Sequence, residues 1–186
     1  MRYHTCLIML LSCLFCASNA SAELSSRLNV GDQSLLLNGS GGRTKAFIQI
    51  YESGLYLMNP SRNSKTIVEA DELMAIRIKI TSGFVSRSSL VSSLKESLEG
   101  SSGGNMAAIA KETNMFIDSL KEEVKKDDTY DFVHVPNKGL LIIKNGSIKG
   151  TVPGLAFKKA LFGVWLSDTP VDKDLRQAML SGGLRR

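Results

Sequence analysis

Arg43 and Tyr51 are the side chains whose types and spacing best fit recognition of an acidic ligand. Arg43 begins a largely apolar stretch of chain, and Tyr51 follows eight residues later. In a dry pocket, a guanidinium binds a carboxylate or a developing oxyanion through two hydrogen bonds, and a phenol adds a further donor. An arginine on the protein surface is the alternative that the local sequence leaves open.

Most other chemistries lack the residues that they require. All three cysteines lie within the first sixteen residues, and His134 is the only histidine after residue 4. Cysteine nucleophiles and His/Cys metal sites are therefore excluded from the rest of the chain, and we predict no metal or cofactor. A Ser-His-Asp triad would have to use His134, but no G-x-S-x-G motif precedes a helix. We interpret His134 as a structural or surface residue.

The glycine-rich segment 38–42 suggests a phosphate-binding loop, but its details do not fit one. It lacks the Lys-Ser/Thr ending of a P-loop and the third glycine of a dinucleotide fingerprint. A strand is predicted to follow it, so no helix N-terminus is available to hold a phosphate. We therefore expect this segment to form the tight turn of a β-hairpin.

The first 22 residues are typical of a secretory signal peptide. Arg2 precedes an almost wholly apolar run at residues 6–17, and Ala20-Ser21-Ala22 forms a small-residue cleavage site. The run is too short for a membrane span, which needs about 20 apolar residues. A permanent anchor and a lipoprotein with lipid on Cys13 are the alternatives. We predict one domain at residues 23–186, periplasmic or secreted, with no integral membrane span after cleavage.

The charge pattern argues against a nucleic-acid partner. The chain has 23 Lys and Arg against 18 Asp and Glu, a net charge of +5. The two signs are interleaved nearly everywhere, which is typical of a solvated surface rather than of a nucleic-acid interface.

Strand patterns occur on both sides of a central helical region. Ile76, Ile78 and Ile80 alternate with polar residues, as expected for a strand with one buried face. Asn145-Gly146 is the dipeptide that most readily forms a two-residue hairpin turn. Strands are predicted at residues 35–37, 46–58 with a break at Ser53-Gly54, 76–80, 129–135, 140–144 and 147–151.

The central region has helical spacing. Leu90, Leu94 and Leu98 recur every four residues between Ser86, a suitable N-cap, and Gly100. Further helices are predicted at residues 106–124 and 155–162, and a last one is opened by Pro170 and Asp172. This order indicates an α+β fold, a large antiparallel sheet with helices packed on one face. The apolar stripes of these helices either pack on the sheet or line a lipid pocket.

Two segments together resemble the bacterial exported branch of the chalcone isomerase-like family. One is Leu37-Asn38-Gly39-Ser40-Gly41-Gly42-Arg43-Thr44-Lys45, which runs into Phe47 and Ser53-Gly54-Leu55-Tyr56-Leu57. The other contains Asn145-Gly146, Gly150, Phe157, Ala160-Leu161-Phe162-Gly163, Trp165-Leu166 and Pro170. The resemblance spans roughly residues 35–180. It implies an open-faced sandwich with a ligand cleft between the sheet and the helices.

The resemblance also implies a role for the candidate pair. In plant chalcone isomerases, an arginine at the position of Arg43 interacts with the developing enolate of the substrate. A threonine stands where this chain has Tyr51. Those enzymes also have a tyrosine and an asparagine in the helical segment, whereas residues 84–98 contain neither. The fatty-acid-binding branch pairs an arginine with a tyrosine on the ligand carboxylate.

The implied function is therefore noncatalytic binding of a fatty acid or a similar amphipathic carboxylate by Arg43 and Tyr51. One alternative is an intramolecular lyase in which Arg43 stabilises an enolate and Tyr51 donates a hydrogen bond. Another is a structural or partner-binding module whose cleft is filled by its own side chains.

Overall fold

Seven strands form one antiparallel sheet in which each strand pairs with its neighbours in sequence. This computed structural model describes residues 24–183, so the predicted signal peptide and Cys13 lie outside the described residues. The strands are β1 (Arg27–Val30), β2 (Gln33–Lys45), β3 (Ile48–Leu57), β4 (Met74–Ile80), β5 (Thr129–Val135), β6 (Gly139–Lys144) and β7 (Ser147–Val152). The β6–β7 turn lies at Asn145-Gly146, as predicted.

The helices pack on one face of this sheet, which confirms the predicted α+β class. They are α1 (Ser64–Glu69), α2 (Arg87–Ser101), α3 (Ala110–Ser119, preceded by a 3-10 turn at Met106–Ile109), α4 (Leu155–Leu166) and α5 (Lys173–Met179). Ser86 caps α2 and Asp172 caps α5, each accepting a hydrogen bond from a backbone N–H in the first turn. Among residues 24–183, no helix is long and apolar enough to cross a bilayer.

The core lies between the helices and the sheet. Ile76, Ile78 and Ile80 are all buried on the helix side of β4, as their alternation predicts. Nine of the twelve residues of α4 are buried, so this helix is the centre of the helical layer. The opposite face of the sheet has a smaller cluster around Tyr56 and Val133, beside an ion pair between Arg77 and Asp131.

Residues 38–42 do not form the predicted turn, because they lie inside β2. The hairpin instead turns at Ala46 and Phe47, whose φ angles are +48° and +67°. The glycines are needed where α5 crosses β2. A Cβ on Gly39 would lie 2.1 Å from the backbone oxygen of Ala178, and one on Gly41 would lie 3.0 Å from the Ala178 Cβ. The glycine cluster therefore permits close helix packing rather than a turn.

The Asn38 side chain connects the same strand to α5 through hydrogen bonds. Asn38 has no partner in the pairing of β2 with β3, so it forms a β-bulge. Its side chain is fully buried. The amide nitrogen donates to the backbone oxygens of Met179 and Ser61, each at 2.8 Å. The amide oxygen accepts from the Ser61 N–H at 2.7 Å. β2 is thus tied both to the end of α5 and to the loop before α1.

Two predicted helix ends were wrong. The helix predicted over residues 106–124 ends at Ser119, because the chain must turn at Asp127 and Asp128 to pair with Ile80 and enter β5. The helix predicted over residues 155–162 continues to Leu166, because the residues that follow Phe162 are buried and extend the apolar face.

Candidate functional site

A cavity of about 320 Å³ lies between the β2–β3 hairpin and α2. Its size is within the range of about 300 to 1,000 Å³ that is usual for small-molecule sites. Most of its walls are apolar. The hairpin contributes Ile48 and Ile50, the helix contributes Leu90 and Leu94, and the floor is formed by Ile78, Val164 and Trp165. The cleft is suited to an aliphatic chain.

Arg43 and Tyr51 meet at one end of this cleft because the hairpin contains a β-bulge. Arg43 pairs with Tyr51, whereas the next residue, Thr44, pairs with Gln49. Ile50 is therefore the extra residue on β3. If the pairing continued regularly from the turn, Arg43 would face Ile50 rather than Tyr51. Arg43, Ile50 and Tyr51 all line the cleft. The eight-residue spacing in the sequence gave no sign of this bulge.

Tyr51 is buried, and its hydroxyl group accepts a hydrogen bond from within the protein. Only 5% of the residue is exposed, and its hydroxyl oxygen accepts a hydrogen bond from the Trp165 indole N–H at 3.1 Å. Burial raises the pKa of Tyr51, and the nearby Arg43 charge opposes that shift. The phenol is therefore neutral at ordinary pH. Because its oxygen accepts from Trp165, its O–H is available to donate to a ligand.

Arg43 brings positive charge to the same end of the cleft. Its guanidinium carbon lies 5.9 Å from the centre of the Tyr51 ring, a cation–π arrangement. None of the salt bridges found within residues 24–183 involves Arg43. No salt bridge within the described residues neutralises the guanidinium, so it remains available for an anionic group in the cleft that it lines.

Serines on α2 leave the space that the cleft occupies. Ser89, Ser93 and Ser97 recur every four residues and line the cavity beside Leu90 and Leu94. The Ser97 hydroxyl donates to the backbone oxygen of Ser93 at 2.7 Å, so that polar group is already satisfied. The leucine stripe of this helix does not by itself predict a cavity. The equally regular serine spacing was the signal, readable in the sequence, that this face would be only partly filled.

His134 does not belong to this cleft. It is 1% exposed, and its Nε2 lies 2.7 Å from the Asp71 carboxylate, on the loop after α1. Burial lowers the pKa of His134, and the hydrogen bond to Asp71 opposes that shift. In the part of the chain that the structure describes, no three His, Cys, Asp or Glu side chains are grouped as a metal site.

Comparison with known proteins agrees with this architecture. A family model described as chalcone isomerase-like matches residues 17–181. Among solved structures, a fatty-acid binding protein from Arabidopsis thaliana is similar, with a TM-score of 0.64 and 22% sequence identity over 83% of this chain and 90% of that chain. At this identity the similarity shows the fold. A search of curated proteins found no match.

Proposed function

This chain belongs to the chalcone isomerase-like family, and we propose that it is a noncatalytic carrier or sensor of fatty acids or similar amphipathic carboxylates. The observation that carries the proposal is the pairing of Arg43 with Tyr51 at one end of an apolar cleft. The solved relative from Arabidopsis thaliana is itself a fatty-acid binding protein. We further propose that the protein is exported, as a member of the bacterial exported branch, because its N-terminus is typical of a signal peptide.

The two ends of the cleft suit the two ends of such a ligand. A carboxylate beside Arg43 would accept charge-assisted hydrogen bonds from the guanidinium and one from the Tyr51 hydroxyl. The acyl chain would then lie against Ile78, Leu94 and Trp165. Apolar burial supplies affinity without direction, so the arginine and the tyrosine fix which way the ligand enters.

The lining of the cleft favours binding over catalysis. The helical segment that faces Arg43 supplies leucines and serines, and residues 84–98 contain no tyrosine or asparagine to act on a substrate. The raised pKa of Tyr51 also makes its phenolate a minor species, so this residue serves as a donor rather than as a base.

Calorimetry on delipidated protein with a fatty acid and the fatty alcohol of equal length tests this proposal. Replacing Arg43 removes a charge-assisted bond worth about 1.5 to 3 kcal/mol, so Arg43→Ala should weaken acid binding by about 10- to 150-fold. The alcohol has no charge and should bind the variant as it binds the wild type. Tyr51→Phe removes a neutral donor and should weaken acid binding by about 2- to 12-fold.

A matched variant controls for the general loss of positive charge. Lys95 is exposed on α2 and does not line the cavity, so Lys95→Ala should leave acid binding unchanged. Equal losses for acid and alcohol in Arg43→Ala would show that the arginine does not recognise the carboxylate. No binding of either ligand by the wild type would overturn the carrier proposal.

A further inference from the structure

The mouth of the cleft presents large apolar side chains to solvent from two separate segments. Phe47, at the tip of the β2–β3 hairpin, is fully exposed, and Phe84, on the loop before α2, is 85% exposed. Ile48 follows Phe47 and is 44% exposed. Ile48 and Phe84 line the cavity itself, so the exposed groups surround its opening. Exposed apolar groups grouped in this way mark an interaction surface.

The backbone at the hairpin tip makes the exposure of Phe47 more significant. Its φ angle of +67° is in the left-handed region, which glycine adopts freely and an aromatic residue does not. A fully exposed ring recovers nothing from burial within the protein to offset that strain. The ring would gain burial only against something outside the chain.

The charges around this opening restrict what that partner is. Arg43 and Lys45 line the cavity, and none of its lining residues is Asp or Glu. The segments that carry the exposed aromatics, residues 42–51 and 81–95, also contain no Asp or Glu. Elsewhere in the chain the two signs are interleaved. A second copy of this protein would bring the same positive charges to the contact and be repelled. Exposed aromatic rings within a basic surface fit an anionic lipid bilayer instead.

We propose that the mouth of the cleft docks on the surface of an anionic bilayer. Phe47 and Phe84 enter the boundary between headgroups and acyl chains, while Lys45 and its basic neighbours contact the headgroups. The cleft then opens directly onto the membrane, and an acyl chain passes between bilayer and protein without crossing water. This transfer step rests on the proposed carrier function, whereas docking itself does not.

Flotation with vesicles of mixed phosphatidylglycerol and phosphatidylcholine tests the docking. Phe47→Gly removes the ring at a position whose backbone suits glycine, so the variant should fold at least as well as the wild type. We expect it to bind the vesicles about tenfold more weakly, as for the loss of one partly buried aromatic ring. Phe84→Ser should have a similar effect.

The matched control is Ile148→Ser, which removes an exposed side chain on β7, four strands away from β3. It should bind vesicles as the wild type does. Binding by the wild type should also fall with added salt and be much weaker on vesicles of phosphatidylcholine alone. Equal binding by wild type and Phe47→Gly, or none by either, would overturn the proposal. A third result would also overturn it: the wild type forms a dimer in sedimentation experiments, Phe47→Gly abolishes that dimer, and neither protein binds vesicles.

A separate measurement keeps docking and ligand binding distinct. Phe47 does not line the cavity, so in vesicle-free solution Phe47→Gly should bind the fatty acid as the wild type does. Its uptake of fatty acid from anionic vesicles should be slower by about the same tenfold factor. Wild-type binding to vesicles but not to fatty acid would leave docking intact and remove the carrier. The opposite result would remove docking alone.

Discussion

The two ends of the helical layer pack against the same sheet in different ways. At one end, the rings of Phe116, Phe132 and Phe157 fill the space between helices and sheet, with centres 5.5 Å apart for the Phe116 contacts. At the other end, α2 faces the β2–β3 hairpin with serines and leucines and leaves about 320 Å³ open. At both ends, helices cover the same face of one antiparallel sheet. The difference shows that the cleft exists because one helix lacks aromatic volume.

Trp165 stands at the boundary between the filled end and the open end. Its ring lies against that of Phe132 with a centre-to-centre distance of 6.2 Å, and its indole N–H donates a hydrogen bond to the Tyr51 hydroxyl oxygen. The close packing of the filled end thus extends through Trp165 to the candidate ligand-binding tyrosine.

The largest expected effect concerns stability at the filled end. Phe116 is fully buried between two other rings, so Phe116→Ala should lower the free energy of unfolding by about 3 to 5 kcal/mol. Leu90→Ala at the open end should cost less than about 2 kcal/mol, because that side chain already faces a cavity. Urea denaturation measures both. Equal losses would show that the two ends are packed alike.

The sequence predicted features that have a local signal better than features that depend on contacts between residues remote in sequence. The alternation of Ile76, Ile78 and Ile80 and the Asn145-Gly146 turn are local signals, and both predictions were confirmed. The glycines of β2 are instead required by contact with α5, which is remote in sequence. The local sequence pattern therefore predicted a turn at these residues wrongly. β1 and the short α1 were not predicted, and Ser53-Gly54 does not interrupt β3.

The candidate site could be predicted only as a pair of residue types. Their opposition across two strands depends on the bulge at Ile50, for which the sequence has no marker. The hydrogen bond from Trp165 to Tyr51 joins residues 114 positions apart, so no local pattern predicts it. The role of Arg43 and Tyr51 in binding a ligand stays a prediction.

Filling the open end should convert it toward the filled one. Ser93→Leu places a larger side chain in the cavity. Leucine also has a higher helix propensity than serine, so α2 should still form. Fatty-acid binding should weaken by about tenfold or more, while the free energy of unfolding should change by less than about 1 kcal/mol. Calorimetry and urea denaturation on the same preparation measure the two quantities. Ser88→Leu, on the exposed part of α2 and outside the cavity lining, is the matched control. Unchanged binding in Ser93→Leu would show that the ligand lies elsewhere.

The smallest expected effect is a pH dependence of stability that does not involve the cleft. Burial holds the pKa of His134 below its ordinary value of 6.5. As pH falls below that value, the unfolded chain takes up the proton before the folded one, so stability decreases. Thermal unfolding between about pH 7 and about pH 5 should show this decrease. His134→Gln, which keeps a donor toward Asp71, should make the curve flatter. Identical curves would show that His134 titrates alike in both states.

The bond between Asn38 and Met179 also governs the order in which the molecule is completed. The two residues are 141 positions apart. Contacts so distant in sequence form late, since the ends of a long loop must first meet. During synthesis, β2 is made before the five strands and five helices that follow it, and only then can α5 cover its glycines. One wall of the cleft is therefore made well before the helix that fixes it in place.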